Sequence, residues 1–498
     1  MRKTVLPIIF SVFGIIAVLF GFFAISLYFD VKDGLQNLSF WRMLLYVDPN
    51  SVRVTLSTAS GGLASVLGIT ITLVLLAVQL TANHYTPRVM DLFTKDKINI
   101  FLFSFFVGCV VYSFWILSLI RTTDPATFFI PYISVFICMV LTTICFCILI
   151  PYFFYLFYSL KPSSIIQKIE QEALDALRMA GRQTEKAKLI VKDRIEQIGD
   201  MAKSAVIKMD VEVAQFTIQA IQELVTRYLP LKQKMSAGWH EDIAFSEYSK
   251  ATIKRIREQK TWLETRVSQQ LLLTFNLTLN RAKDIGNSIL ISNRLIGQEA
   301  AKHDDAQVIE LVIKTFNTML KEAIYQKDKF TCYNVLAQYR LFAEKLLAYK
   351  QFSGLTERIS FYFKYYGCMA ESMGVTFILD TAAYDLQILN QVVLEQVAPL
   401  DQQKILKVFL DLPPQKGVLK MEAILGAYYY WKEKHELGRL IVGDLAVEDK
   451  NVLKEIKEEL LAPQEQDFWE LTDRGVNFNY VPEEQKPSLE RVFKELDL

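Results

Sequence analysis

Residues 54–87 read VTLSTASGGLASVLGITITLVLLAVQLTANHYTP, a run of 34 residues without an aspartate, glutamate, lysine or arginine. A helix needs about 20 predominantly apolar residues to cross the roughly 30 Å hydrocarbon layer of a bilayer. Three more uncharged stretches, residues 4–29, 98–120 and 126–160, share the first third of the chain. We therefore predict an integral membrane protein with four transmembrane helices, at about residues 5–28, 54–84, 98–120 and 127–158.

The chain after residue 160 is charged, and its apolar residues recur with the period of an α-helix. Ile165, Ile166, Ile169, Leu174 and Leu177 follow the spacing of three to four residues that is typical of a helix with one buried face. The fold class we predict is all-α. A transmembrane domain over residues 1–160 precedes a cytoplasmic helical domain over 161–462 and a short aromatic tail over 463–498.

Two segments of the helical domain resemble each other. Lys203–Asp210, followed by a helix to Leu229, parallels Lys321–Asp328, followed by a helix to Leu347. Each reads as a helix, a turn at aspartate and a second amphipathic helix. Stacked hairpins of this kind form solenoids, which commonly bind proteins or peptides. A solenoid-like array and a compact irregular bundle are near-equal alternatives.

The tail carries alternating aromatic residues between Phe468 and Tyr480. Such a pattern is typical either of a short hairpin or of an extended segment that docks on another surface. The surface would belong to the helical domain or to a neighbouring subunit. A break in the helical pattern is expected at Pro413 and Pro414, because proline interrupts the helical hydrogen bonds.

The second predicted span carries a stripe of small and polar residues. Within about 120° of the helix circumference fall Thr58, Gly61, Gly62, Ser65, Gly68, Thr72 and Gln79. One interpretation is close helix packing, because Gly61 and Ser65, and likewise Gly68 and Thr72, have the spacing that lets two backbones approach. The other is the lining of a pore or cavity. We favour packing over lining by about two to one.

The residues that follow this stripe form an interfacial turn, Tyr85, Thr86, Pro87 and Arg88. Together with Leu56–Ser60, Gly68–Thr70, Ala77–Leu80 and Phe129–Val135, this turn resembles the signature of a family of bacterial predicted membrane proteins, domain of unknown function 2254. The resemblance covers roughly residues 1–170. It implies a bacterial inner-membrane protein and implies no particular activity.

The distribution of basic residues predicts the orientation in the membrane. With four spans, eleven lysines and arginines lie on the side that holds the N-terminus and the start of the helical domain, against four on the opposite side. Basic residues near the ends of spans stay on the cytoplasmic side. We therefore expect a multi-pass protein of the cell inner (plasma) membrane with both termini in the cytoplasm.

We find no enzyme signature, and we predict no catalytic residue, cofactor or metal site. The four histidines, at positions 84, 240, 303 and 435, have no metal-ligand spacing, and there is no phosphate-binding loop or nucleophile elbow. We interpret His303–Asp305 as a solvated helix start and the six cysteines as packing residues. The 55 basic and 54 acidic residues nearly balance, which argues against nucleic acid as a partner.

The function we expect is that of an oligomeric ion channel or channel-like assembly with a cytoplasmic regulatory or partner-binding domain. The alternative is a non-conducting membrane-anchored scaffold. In both cases the expected partners are the lipid bilayer, further copies of the chain and a cytoplasmic protein. The absence of aspartate, glutamate, lysine and arginine inside the spans argues against a proton-coupled transporter.

Overall fold

Three long apolar helices form in the first third of the chain. The computed structural model describes residues 49–84, 96–120, 132–181, 183–241, 245, 248–396, 399–463, 465–467 and 474–498. Helices α1 (Pro49–His84), α2 (Lys97–Leu119) and α3 (Tyr132–Ser159) are long and apolar enough to cross a membrane over Asn50–Thr81, Ile98–Ser118 and Ser134–Ser159. These confirm three predicted spans, while the predicted span at 5–28 lies outside the described residues.

Helix α1 begins at Pro49 rather than at the predicted residue 54. The prediction began at residue 54 because Arg53 is charged and ends the uncharged stretch. In the structure Arg53 lies in the first turns of the helix. Arginine has a long apolar stem, so it is compatible with the end of a span. Helix α3 continues through Pro151.

The three apolar helices contact one another pairwise. Their contact includes a cluster of buried side chains at one end of the group: Val52, Leu56, Ile116, Ile120, Val135 and Cys138. Asp96 accepts a hydrogen bond from the backbone N–H of Ile98 and so caps α2. Its other carboxylate oxygen accepts a bond from the Tyr155 hydroxyl at 2.8 Å, which connects the start of α2 to α3.

The chain divides into two compact units between Ile165 and Ile166. Helix α3 ends at Ser159 and α4 (Pro162–Met179) begins at Pro162. The proline lies at the first helical position, where its missing N–H costs nothing. The predicted apolar stripe of α4 is confirmed, since all five of its residues are buried.

Fourteen further α-helices make up the rest of the described second unit. They are α5 (Thr184–Ile207), α6 (Val211–Lys232), α7 (Lys250–Glu258), α8 (Trp262–Thr278), α9 (Lys283–Lys302), α10 (Ala306–Tyr325), α11 (Lys329–Leu347), α12 (Gly354–Ser372), α13 (Phe377–Gln396), α14 (Pro399–Leu410), α15 (Lys416–Trp431), α16 (His435–Leu445), α17 (Lys450–Leu461) and α18 (Lys486–Glu495). The break predicted at Pro413 and Pro414 is confirmed, because it falls between α14 and α15.

The helices of the second unit are arranged in two rows. In the first row, α5, α8, α10, α12 and α14 each contact the next, and in the second row α6, α9, α11, α13 and α15 do the same. The pairs α5–α6, α8–α9, α10–α11 and α12–α13 are hairpins that contact across the rows. This neighbour-to-neighbour pattern is that of stacked αα-hairpins, the solenoid-like alternative.

Three turns share one local conformation: those within the α5–α6 and α10–α11 hairpins and the one that joins α9 to α10. Met209, Asp304 and Lys327 adopt φ values of 59°, 57° and 53°, and an aspartate follows each of them. Those aspartates, Asp210, Asp305 and Asp328, each accept a hydrogen bond from the backbone N–H three residues on and cap the next helix. The turn at aspartate that we predicted for two segments is confirmed, and a third copy occurs at Asp305.

Candidate functional site

The face of α1 that packs inside its own unit is mainly apolar, with Ser60 and Thr70 as its buried polar residues. Its buried residues include Leu56, Leu63, Val74 and Val78. They lie within about 80° of one another on a helix that turns 100° per residue. This face makes the contacts of α1 with α2 and α3.

The predicted stripe lies on the opposite side of α1. Its centre is about 165° away from that of the buried residues at 100° per residue. All seven residues are exposed: Thr58, Gly61, Gly62, Ser65, Gly68, Thr72 and Gln79. Apart from the backbone of α1 itself, no described atom lies within 4 Å of a Cβ built on the three glycines. In the described part of the chain, the stripe is therefore not a contact between α1 and the other apolar helices.

The stripe follows a seven-residue repeat. Thr58, Ser65, Thr72 and Gln79 are each seven residues apart, and Gly61 and Gly68 follow the same period three residues on. Two positions that repeat every seven residues are typical of a helix face that packs against a similar helix. The seam of α1 is this repeating set: Thr58, Gly61, Ser65, Gly68, Thr72 and Gln79. Ile69 and Leu76, which are also exposed, lie within the same arc and interrupt the stripe, so it is not purely polar.

Two hydroxyl groups of the seam, those of Ser65 and Thr72, are bonded within α1. Ser65 Oγ donates to the carbonyl of Gly61 and Thr72 Oγ1 to that of Gly68, both at 2.9 Å. Each hydroxyl proton is thus used, while each oxygen keeps a lone pair for a neighbouring group. Such residues are compatible with an apolar contact and with a polar lining. Both interpretations of the stripe remain predictions, and the interfacial turn Tyr85–Arg88 lies outside the described residues.

A buried group of charges lies in the second unit, where α6 ends and α8 and α10 begin. Lys232 Nζ donates to Glu264 Oε1 at 2.6 Å and to Asp305 Oδ2 at 2.7 Å. The side chains of Lys232 and Glu264 are only 8% and 1% exposed. Burial opposes the charge on Lys232, but Glu264 and Asp305 outweigh it and raise the pKa of the ammonium group. This group joins three helices.

Buried aromatic and imidazole rings surround this group. Trp239 Nε1 donates to the Tyr228 hydroxyl at 3.0 Å, and the Trp239 and Trp262 rings are 5.1 Å apart. Burial, together with the charge of Lys232 and other lysines, lowers the pKa of His240 to about 4, so this imidazole is neutral at pH 7. The arrangement is a packed polar core rather than an open site.

The tail docks on the second row of helices. Arg474 makes a bidentate ion pair with Asp385 on α13, and the Phe478 ring stacks on Tyr384 at a centroid distance of 4.0 Å. An isolated antiparallel bridge joins Asp467 to Val476. Of the predicted alternatives, docking on the helical domain of the same chain is therefore confirmed. The sequence pattern predicted neither the α18 helix nor a role for Arg474.

The interpretation of His303–Asp305 as a solvated helix start is wrong for Asp305, whose side chain is only 17% exposed. Asp305 caps α10 and pairs with Lys232, and His303 lies 3.3 Å from Glu299 on the surface of α9. Within the described residues, no three histidine, cysteine, aspartate or glutamate side chains are placed to hold a metal ion. All six cysteines are free thiols, and Cys109, Cys138, Cys145 and Cys332 are buried, in keeping with a packing role.

Comparison with known proteins bears on the first part of the chain. Residues 3–220 match a protein-family model. The model is that of DUF2254, described as predicted membrane protein, and this segment is similar to that family. This confirms the resemblance that we saw over residues 1–170 and extends it through α4 and α5 into α6. The matched segment thus includes the three apolar helices, α4, α5 and the first part of α6.

The remaining comparisons add no functional information. No curated protein matches the chain. A solved structure described as a circular tandem repeat protein with novel repeat topology and enhanced subunit contact surfaces is 13% identical. The match covers 90% of this chain and 97% of that one with a TM-score of 0.34, which is too low to support a conclusion about fold or function.

Proposed function

We propose that this protein is an oligomeric, channel-like membrane assembly in which copies of α1 meet along the seam of small and polar residues. The observation that carries the proposal is the position of the seam, opposite the face by which α1 packs on α2 and α3. These residues repeat every seven positions, and the described part of the first unit leaves them exposed. Such a surface is suited to pack against the same surface of another copy of α1.

The chemistry of the seam supports conduction with modest selectivity. Hydroxyl oxygens at Thr58, Ser65 and Thr72, and the amide of Gln79, offer uncharged polar groups to a passing ion. Aspartate, glutamate, lysine and arginine are absent between residues 54 and 87, so no fixed charge sets a strong preference. Three described helices rich in Phe and Leu leave little room for water in one chain, so the lining needs several copies of α1.

The first experiment tests assembly. Replacing Gly68 by leucine is expected to shift the purified protein in detergent toward smaller species, because a packed contact cannot absorb the added volume. Gly108→Leu on α2 is the matched control, since this glycine is also exposed with no described atom within 4 Å of an added Cβ. Unchanged mass for Gly68→Leu, measured by light scattering, would contradict a tight α1 contact.

The second experiment tests conduction in liposomes that contain the purified protein. Thr72→Leu or Gln79→Leu is expected to change ion flux. Thr143→Leu on α3 should leave the flux unaltered, although Thr143 is also an exposed threonine bonded within its own helix. An ion flux equal in all four proteins would show that the seam does not line a path.

The second candidate function is a non-conducting scaffold anchored in the membrane. The stacked hairpins of the second unit favour it, because such arrays commonly bind proteins. An exposed aromatic pair, Phe361 and Tyr365 on α12, stacks at 6.4 Å and offers side chains that are enriched at protein interfaces. Assembly through α1 without any flux in liposomes would decide for the scaffold.

A further inference from the structure

Arg474 of the tail is held by the second row of helices as a ligand would be. Its guanidinium donates to both carboxylate oxygens of Asp385, at 2.7 and 3.0 Å, and to the backbone carbonyl of Tyr333 at 2.5 Å. The guanidinium also lies 4.2 Å from the centroid of the Tyr333 ring. The side chains of Asp385 and Arg474 are 0% and 7% exposed, so this recognition is almost free of solvent.

The charges around Asp385 balance only when Arg474 is present. Arg340 Nε donates to Asp385 Oδ1 at 2.9 Å, and the Arg340 guanidinium also pairs with Glu344. Without Arg474, the site holds two carboxylates and one guanidinium, a net charge of about −1. A buried site of that charge, with a free bidentate edge and an aromatic face, selects a guanidinium group over a neutral or acidic one.

A second contact lies four residues further along the tail. The Phe478 ring stacks on Tyr384 with an interplanar angle of 11°, and it lies 6.0 Å from the Tyr333 ring. Tyr333 is on α11 and Tyr384 is on α13, so the aromatic side chain contacts two neighbouring helices of the second row. Stacked aromatic pairs contribute about 0.5–1.5 kcal/mol beyond the area that they bury.

The tail is shaped by its own hydrogen bonds to present these two side chains. Gly475 adopts a φ of 61°, and the backbone N–H of Asn477 donates to the carbonyl of Gln466 at 3.1 Å. The side chain of Asn477 donates to the carbonyl of Glu465 at 3.2 Å. These bonds hold Arg474 and Phe478 on one segment that spans the site.

We propose that the surface between α11 and α13 is a peptide-binding site for an arginine followed four residues later by an aromatic residue. The tail occupies it as an internal ligand, and a segment of a partner protein with the same two side chains is the ligand that replaces it. Buried Asp385 and the Tyr384 ring are the two specificity elements. The inference does not depend on whether α1 lines a pore.

The test uses the full chain in detergent and a fluorescent synthetic peptide with the sequence of residues 464–482. The double variant Arg474→Ala/Phe478→Ala empties the site and is expected to bind this peptide. The unchanged chain is expected to bind it at least tenfold more weakly, because its own tail competes at an effective concentration in the millimolar range. A peptide that carries Arg474→Ala should also bind at least tenfold more weakly.

A site variant separates this proposal from non-specific binding. Adding Tyr384→Ala to the double variant should abolish peptide binding, while adding Phe361→Ala on the exposed aromatic pair of α12 should leave it unaltered. Circular dichroism establishes that each variant retains its helical content. Failure of the folded double variant to bind the peptide, or equal binding with and without Tyr384→Ala, overturns the proposal.

A competition experiment identifies the source of the ligand. Unlabelled intact chain is expected to displace the bound peptide poorly, because its tail is held in its own site. If the intact chain displaces the labelled peptide as efficiently as free unlabelled peptide does, its tail is available to the site of a second copy. That result overturns the assignment of the ligand to a separate partner protein. Neither result depends on ion flux, so failure here is distinguishable from failure of the channel proposal.

Discussion

Lys232 and Glu264, which are 32 positions apart in the sequence, form a buried ion pair at 2.6 Å in the second unit. Asp305 is the second acceptor of the same ammonium group. Removing one member of a buried pair leaves an uncompensated charge, which is far more costly than the loss of a surface pair. This relationship gives the first prediction.

Lys232→Met is expected to lower the free energy of unfolding by about 3–5 kcal/mol, because Glu264 would stay buried without its partner. Arg227→Ala on the same helix is the matched control. Arg227 pairs with Glu223 at the same distance of 2.6 Å, but on the exposed surface, so its loss should cost less than about 1 kcal/mol. Chemical denaturation followed by circular dichroism measures both, and equal losses would contradict the importance of burial at Lys232.

Glu422→Gln is expected to alter the pH dependence of stability. Burial, aided by the charges of Asp444 and Glu448, raises the pKa of Glu422 to about 9. The folded state therefore holds a proton that the unfolded chain releases near pH 4.5, so stability falls as pH rises between these two values. The loss is on the order of 1 kcal/mol per pH unit.

The amide of Glu422→Gln carries no titratable proton, so the variant should exceed the unchanged protein in melting temperature at pH 8.5 and differ little at pH 5. The exposed Glu490→Gln is the control and should give parallel curves at both pH values. A difference between Glu422→Gln and the unchanged chain that is the same at both pH values would show that Glu422 is not protonated in the fold.

Gly297→Ala is expected to destabilise the second unit by about 1–3 kcal/mol, because overpacking a close contact strains it. A Cβ on Gly297 would lie 2.5 Å from Phe342 Cε2 and 2.9 Å from Val312 Cγ1, where three helices meet. Gly443→Ala on α16 has no described atom within 4 Å of its Cβ and should stabilise by about 0.5–1 kcal/mol. Thermal unfolding compares the two, and the same sign for both would contradict this packing.

The orientation predicted from the basic residues is tested with reporters. A fluorescent protein fused after Leu498 should fluoresce in the cytoplasm, and alkaline phosphatase fused there should be inactive. Phosphatase fused after Asp124, between the third and fourth predicted spans, should be active, because only four basic residues mark that side. Active phosphatase after Leu498 would place the second unit outside the cytoplasm.

The parts of the fold that the sequence predicts are those with a local physical signal. A span is visible because charge is excluded from about 20 residues in succession, and the turns at Asp210 and Asp328 are visible because a capping aspartate precedes each helix. The residues of the α1 stripe are likewise predicted from the sequence, because their spacing places them on one side of a helix. Whether that stripe lies against α2 and α3 or away from them depends on packing, which periodicity does not determine.

The contacts that were missed join residues far apart in the chain. Arg474 and Asp385 are separated by 89 positions, and each alone resembles an ordinary charged residue of a helical protein. Lys232, Glu264 and Asp305 likewise come from three helices with no shared motif. Only the stacking of hairpins brings these groups together, so no pattern within a short window predicts them.

The two rows of hairpins have a consequence for how the protein is made. Since each helix of the rows contacts mainly those of its own and the adjacent pairs, a new pair can settle on the preceding one as soon as it leaves the ribosome. Synthesis from the N-terminus would therefore lengthen the array one hairpin at a time. Arg474 is translated after Asp385, so docking of the tail follows completion of α13 and marks a late step in maturation of the second unit.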